Sequence, residues 1–240
     1  MKKKIAILGS TGSIGTTSLD IIGKNKNLFN IEFLSANKNY KKICSQIIKF
    51  KPRYFVVTNN NIFFKTKKKF KGKKTKILNN YKQVSFSNKK IDITIASIPG
   101  IAGLEPTINF TKISKKILLA NKESIICGWN IIKRIAKKNK TKLIPIDSEH
   151  YSIMKLTENH KENEIEKVYI TASGGPFLNL QINKFKNIKP TDAVKHPKWK
   201  MGKKISVDSS TLMNKILELI EAQKIFPFNP KIYEIIIHPQ

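Results

Sequence analysis

A chain of 240 residues with 40% apolar content has room for one large or two modest domains, and it reads as a folded protein rather than a disordered one. Its two cysteines, Cys44 and Cys127, form no C-x-x-C pair, which argues against a disulfide framework or a thiolate zinc cluster and fits a reducing cytoplasm. The net charge of +30 invites a nucleic-acid reading, yet only Arg53 and Arg134 of 46 basic residues are arginine; with the lysines spread along the chain, a solvated basic surface is favoured.

Met1-Lys2-Lys3-Lys4 resembles the basic start of a signal peptide, but the apolar run Ile5–Leu8 stops at Gly9-Ser10-Thr11-Gly12, too soon for an h-region. No stretch approaches the roughly 20 apolar residues of a membrane span. Lys4–Leu8 instead predicts a first strand, with a helix from about Ser13 to Ile22. Between them stands Gly9-Ser10-Thr11-Gly12-Ser13-Ile14-Gly15, a strand-to-helix turn. Glycines there allow a tight turn and a close approach of backbone N–H groups to a pyrophosphate, helped by the helix N-terminus. The spacing is G-x-x-G-x-x-G, only a loose match to the dinucleotide fingerprint, and an ordinary glycine-rich turn is the plainer alternative. Ile31–Ser35 predicts a second strand ending near Asn37, Lys38 and Asn39, where no acid awaits a ribose 2′-hydroxyl. Lys38 favours a 2′-phosphate there, hence NADP over NAD.

A helix over Tyr40–Lys49, strands at Tyr54–Val57 and Ile91–Ala96, and a turn at Ser97-Ile98-Pro99-Gly100 continue the alternation. The lysine-rich Lys65–Lys76 interrupts it and is expected to be a solvated loop or helix edge. Strands at Ile117–Leu119 and Lys142–Ile146 bracket a helix near Ser124–Lys137. This is the rhythm of a parallel α/β sheet of Rossmann-like type over residues 1–146. Residues 147–240 change texture to α+β. Strands are expected at Val168–Ala172, Ile205–Val207 and Tyr233–His238, with a polar stretch at Gln181–Lys198 and one helix from about Ser209 to Gln223.

Asp147-Ser148-Glu149-His150 follows the last strand of the first half. Its two carboxylates suit one hard cation, while a helix N-cap is the plainer reading. In Ser206–Glu218, Ser209 stands at a helix start and Asn214 and Glu218 share a face at i and i+4, with Lys215 beside them. Such a start suits a phosphate, and Glu218 offers a third metal carboxylate; a surface Lys215/Glu218 pair is the bland alternative. Ser173-Gly174-Gly175 is an anion-receiving turn or a plain β-turn. His196–Gly202, with Trp199, reads as a lid segment or a packed loop.

Read in order, G-S-T-G-S-I-G, A-N-K-E-S at Ala120–Ser124, D-S-E-H, S-G-G-P-F, H-P-K-W-K-M-G and S-V-D-S-S-T-L-M-N-K closely resemble the 1-deoxy-D-xylulose-5-phosphate reductoisomerase family over essentially the whole chain. The resemblance implies Thr11, Gly12, Ser13 and Ile14 at the NADPH pyrophosphate and Asn37, Lys38 and Asn39 near the adenosine. It adds Asn121, Glu123 and Gly202 as cofactor contacts. Asn37 departs from the glycine frequent there in the family. The resemblance further implies Asp147, Glu149 and Glu218 as ligands of Mg²⁺ or Mn²⁺. Lys122, Ser148, Glu149, Ser173, His196, Ser209, Asn214, Lys215 and Glu218 would hold the phosphorylated sugar, with Lys122, Glu149, His196 and Glu218 carrying the chemistry. The implied reaction is a retro-aldol and aldol rearrangement followed by NADPH reduction. Its product would be 2-C-methyl-D-erythritol 4-phosphate, an isoprenoid precursor, made by a cytoplasmic homodimer without nucleic-acid or membrane partners. Family members continue into a C-terminal helical domain, so a chain stopping at Ile237-His238-Pro239-Gln240 is expected to be truncated. A metal-free dehydrogenase, a basic nucleic-acid-binding protein, and a chain that binds cofactor without turnover stand as alternatives.

Overall fold

The computed structural model describes residues 1–84, 91–194 and 203–238. The chain divides into two compact units, Met1–Ile146 and Asp147–Gln240.

The first unit runs β1 (Lys3–Leu8), α1 (Ser13–Lys24), β2 (Phe29–Ala36), α2 (Tyr40–Phe50), β3 (Tyr54–Val57), α3 (Asn60–Lys69) and β4 (Lys76–Leu78). It continues with β5 (Ile91–Ala96), α4 (Leu104–Thr111), β6 (Ser114–Leu119), α5 (Lys122–Asn139) and β7 (Lys142–Pro145). The strands form one seven-stranded sheet in the order β4-β3-β2-β1-β5-β6-β7. Every neighbouring pair is parallel, as crossover connections require. A sheet covered on both faces demands continuous apolar strands, and Ile5–Leu8 and Tyr54–Val57 are buried without interruption. Leu19, Ile43, Ile47 and Phe63 from α1, α2 and α3 pack on Ile7, Leu34, Phe55 and Val57.

Strand order reverses beside β1. At such a switch point the turns after the carboxyl ends of the strands open into a crevice. The turns following β1, β2, β5 and β6 therefore share the edge where the cofactor residues were expected.

The segment Lys65–Lys76 is more structured than expected. α3 buries Phe63 and Thr66 on one face while Lys65, Lys67 and Lys68 stay exposed, and β4 follows after a turn at 70–75. With only Ile77 fully inward, so short a strand leaves no alternation to read.

The second unit comprises α6 (Ser148–Thr157), β8 (Val168–Ala172), α7 (Pro190–Ala193), α8 (Lys203–Ser210), α9 (Met213–Ile225) and β9 (Tyr233–Ile237), with short 3₁₀ turns between. β8 and β9 pair in parallel. Their core joins Ile153 of α6 with Val168, Ile170 and Tyr233 of the strands and Ala222 of α9, closed by Phe226. One strand expectation fails here: Ile205–Val207 lies inside α8. Among the residues of α8 whose burial is described, the buried ones are Ser206 and Ser210, four apart; these inward positions have helical spacing but are polar and escape an apolar count. The single helix expected from Ser209 is also two, because Leu212 adopts left-handed φ 58 and α9 starts afresh at Met213. Among the described residues no helix is long and apolar enough to cross a membrane.

Candidate functional site

In the first unit the glycine turn is shaped by close backbone packing. Gly9 has φ 86, and a Cβ there would meet the Ser97 carbonyl oxygen at 2.8 Å. A Cβ on Gly15 would meet the Gly9 oxygen at 2.4 Å and the Ser10 Cα at 2.6 Å, so only glycine lets α1 start this close to β1. Buried Ser10 anchors the turn: its hydroxyl donates to Gln46 Oε1 at 2.7 Å, and Gln46 Nε2 donates back to the Ser10 carbonyl at 2.8 Å. Gly12 occupies the N-cap of α1 with no side-chain cap and no acid in the first turn, which leaves an anion-receptive helix start. Thr11 is partly buried, while Gly12, Ser13 and Ile14 are exposed. Lys42 places its Nζ 3.3 Å from the Thr11 carbonyl oxygen. These features fit a dinucleotide pyrophosphate.

Asn37, Lys38 and Asn39 are exposed after β2. Asn37 donates to Thr58 Oγ1 at 2.7 Å, and Asn39 caps α2 by accepting from the Lys42 N–H. Asn121 is 3% exposed. It accepts from the Ser124 N–H as N-cap of α5 and donates to the carbonyls of Ile98 and Gly100, tying the turn after β5 to the turn after β6. Glu123 Oε2 receives a further bond from Asn121 at 3.2 Å. Lys122, partly buried in the first turn of α5, belongs to this first unit.

The second unit gathers the acids. Oxygens of Asp147, Glu149 and Glu218 all lie within 4.8 Å of one another. Asp147 stands at the N-cap of α6 but makes no side-chain cap hydrogen bond, so capping does not account for its carboxylate. Glu218 is 2% exposed and Lys215 7% exposed. The Lys215 ammonium lies 2.9 Å from Glu149 Oε1 and 2.5 Å from Glu218 Oε2, while Asn214 donates to Glu218 Oε1 at 2.5 Å. Burial opposes ionisation of Glu149, but hydrogen bonds from the Ser148 hydroxyl and the Lys215 ammonium, together with the Lys215 charge, prevail and hold its carboxyl at about 2. Three carboxylates with one buried ammonium in their midst fit a hard divalent cation taking oxygen ligands.

The turn after β8 carries exposed Ser173, then Gly174 and Gly175 with φ 82 and 70. Gly175 packs so tightly on the end of α8 that a Cβ would meet the Ser209 carbonyl oxygen at 2.5 Å. The Ser173 turn and partly buried Ser209 are thus brought together. A groove of about 830 Å³ along α6 and β8 touches Ser148 and Glu149 but not Asn214 or Glu218; it borders the acidic cluster without enclosing it. His196 and Gly202, with the expected lid, fall outside the described residues. Gln46, Lys42 and Glu221 were not singled out from the sequence. No local signal marks them, since each acts on a partner far along the chain.

The first unit thus defines a Rossmann-like α/β protein, and the second gathers a cluster of carboxylates that suits a divalent cation. Residues 5–128 match the family model described as 1-deoxy-D-xylulose 5-phosphate reductoisomerase, and residues 143–226 match the model of that enzyme's C-terminal domain. The chain belongs to the 1-deoxy-D-xylulose 5-phosphate reductoisomerase family. It is 53% identical to the reductoisomerase of Pelagibacter ubique, over 99% of this chain and 62% of that protein. With the Clostridium novyi enzyme the identity is 42%, over 99% and 63%. A crystal structure of DOX-P reductoisomerase with NADPH, fosmidomycin and magnesium superposes with TM-score 0.89 at 35% identity, covering 99% of this chain and 61% of that one. The Zymomonas mobilis enzyme with NADPH gives 0.86 at 30%, covering 100% and 62%. The chain therefore spans a little over three-fifths of the length of these relatives.

Proposed function

We propose that this protein converts 1-deoxy-D-xylulose 5-phosphate to 2-C-methyl-D-erythritol 4-phosphate, using NADPH and Mg²⁺ or Mn²⁺, in the cytoplasm and as a homodimer without nucleic-acid or membrane partners. The observation that carries this is the convergence of Asp147, Glu149 and Glu218 within 4.8 Å, in a chain of this family. Residues 1–146 form the NADPH-binding domain and residues 147–240 carry the catalytic metal and substrate groups. When bound, the cofactor supplies hydride and the cation polarises substrate oxygens during carbon–carbon cleavage.

The chain's own groups do the rest. The N–H groups at the start of α1 receive the pyrophosphate beside Thr11, Gly12, Ser13 and Ile14, with Lys38, Asn37 and Asn39 at the adenosine end. Asn121, Glu123 and Gly202 complete the cofactor contacts. Ser148, Ser173, His196, Ser209, Asn214 and Lys215 hold the sugar and its phosphate, joined by Lys122. The phosphate acts as a remote handle whose binding orients the reacting carbons.

The test is NADPH oxidation with 1-deoxy-D-xylulose 5-phosphate. Turnover requires added Mn²⁺ and stops on chelation. Glu218→Gln lowers the rate by at least about 10²-fold while NADPH still binds, because an amide cannot replace a carboxylate ligand. A metal-independent rate, or near-parent turnover by that variant, contradicts the assignment; a chelation-insensitive oxidation would return the metal-free dehydrogenase.

A further inference from the structure

We propose that His150 and Glu221 are positioning residues that fix the cation ligands Glu218 and Asp147 from beneath the acidic cluster; this rests on the ligand reading above. His150 lies one residue past Glu149 on α6 and is fully buried. Its Nε2 is 2.9 Å from the backbone oxygen of Glu218 on α9. A carbonyl only accepts, so Nε2 carries the proton and donates. That bond ties the start of α6, which bears Asp147 and Glu149, to the turn of α9 that bears Glu218.

Glu221 follows Glu218 by three residues, on the same face of α9, and is 1% exposed. Its Oε2 stands 3.9 Å from His150 Nδ1. Asp147, His150 and Glu221 each present an atom within 4.8 Å of the others, so Asp147 is shared between this trio and the ligand trio. An imidazole and a carboxylate buried together are a poor substitute for apolar packing. Their geometry accounts for them otherwise: one contact sets the main chain of one ligand, and the other set flanks a second ligand. Neither residue needs to touch the ion.

The test is Mn²⁺ titration of the full 240-residue chain, with free Mn²⁺ read by electron paramagnetic resonance. His150→Leu keeps the bulk and removes the donor, and weakens Mn²⁺ binding about 10- to 100-fold. His150→Gln carries an amide N–H near the Nε2 position and restores affinity to within about threefold of the parent. Glu221→Gln weakens binding about tenfold. NADPH binding, read by fluorescence, stays at the parent value throughout, and so does the urea midpoint of each variant, which loss of the second unit's fold would not permit. If His150→Leu unfolds, His150→Asn, whose amide is too short to reach the Glu218 oxygen, replaces it in the comparison with Gln. Parent-like Mn²⁺ affinity in the Leu variant, or in Asn where it replaces Leu, overturns the proposal. So does a folded Gln variant as weak as that one, and parent-like Glu221→Gln removes Glu221 from it. If the unmodified chain binds no Mn²⁺, the ligand assignment itself fails, which is a separate result.

Discussion

Lys215 holds its ammonium between Glu149 and Glu218, the position a divalent cation would contest. Without that ammonium, two carboxylates face each other across a mostly buried space and their repulsion favours any replacement cation. Lys215→Met is therefore expected to tighten Mn²⁺ binding in the absence of substrate by about tenfold, although on the proposed function it also removes a substrate contact. Calorimetric titration decides the sign; weaker Mn²⁺ binding would make Lys215 a scaffold for the acids rather than their competitor. The same contacts set a pH dependence. Glu149 is held at about 2 against an ordinary 4.5, so the folded state favours its charged form. Its contribution to stability is complete above 4.5 and is lost as pH falls from there toward 2. Urea midpoints measured down that range fall more steeply for the parent than for Glu149→Gln, which has no proton to take up. Parallel profiles would refute the shift.

At the scale of elements, the glycine turn separates two roles that look identical in sequence. Gly15 lies where a methyl group would collide with backbone, whereas the nearest atom to a Cβ on Gly12 is the Gly9 oxygen at 3.4 Å, an ordinary contact. Gly15→Ala forces α1 away from β1 and costs about 1–3 kcal/mol, seen as a lower urea midpoint. Gly12→Ala keeps the parent midpoint but places a methyl group at the bare N-cap, raising the NADPH dissociation constant about tenfold. Equal effects on stability would refute the distinction. The turn was legible because its glycines, strand and helix are contiguous. So was the alternation of β1, α1, β2 and α2, whose apolar periods switch within a few residues. α8 was not legible, since Ser206 and Ser210, the buried residues among those of it whose burial is described, are polar, and neither was β4, with one deeply inward side chain. Gln46 and Glu221 look like surface residues of amphipathic helices; their burial follows from partners that only folding brings near.

Across the whole molecule, 46 basic residues face 16 acids, so every ligand meets a strongly positive average field. Four of those acids, Asp147, Glu149, Glu218 and Glu221, belong to the two overlapping clusters in the second unit. A divalent cation there is attracted by carboxylates a few ångströms away and opposed at the same short range by Lys215, while the rest of the lysine excess acts as a diffuse repulsion. Salt screens the two unequally: at 0.1 M the Debye length is about 10 Å, which leaves the short-range attraction largely intact and removes most of the long-range repulsion. For NADPH and phosphorylated sugars the same lysines attract, and screening weakens that attraction. The two classes of ligand are therefore expected to respond to salt with opposite signs. Raising ionic strength from about 0.02 to 0.2 M should raise the NADPH dissociation constant about three- to tenfold and lower that of Mn²⁺ about twofold. Fluorescence titration of NADPH and calorimetric titration of Mn²⁺ in matched buffers check this. Mn²⁺ binding that weakens with salt as NADPH binding does would show that the lysine excess does not reach the acidic cluster, and the basic surface would then be irrelevant to the cation.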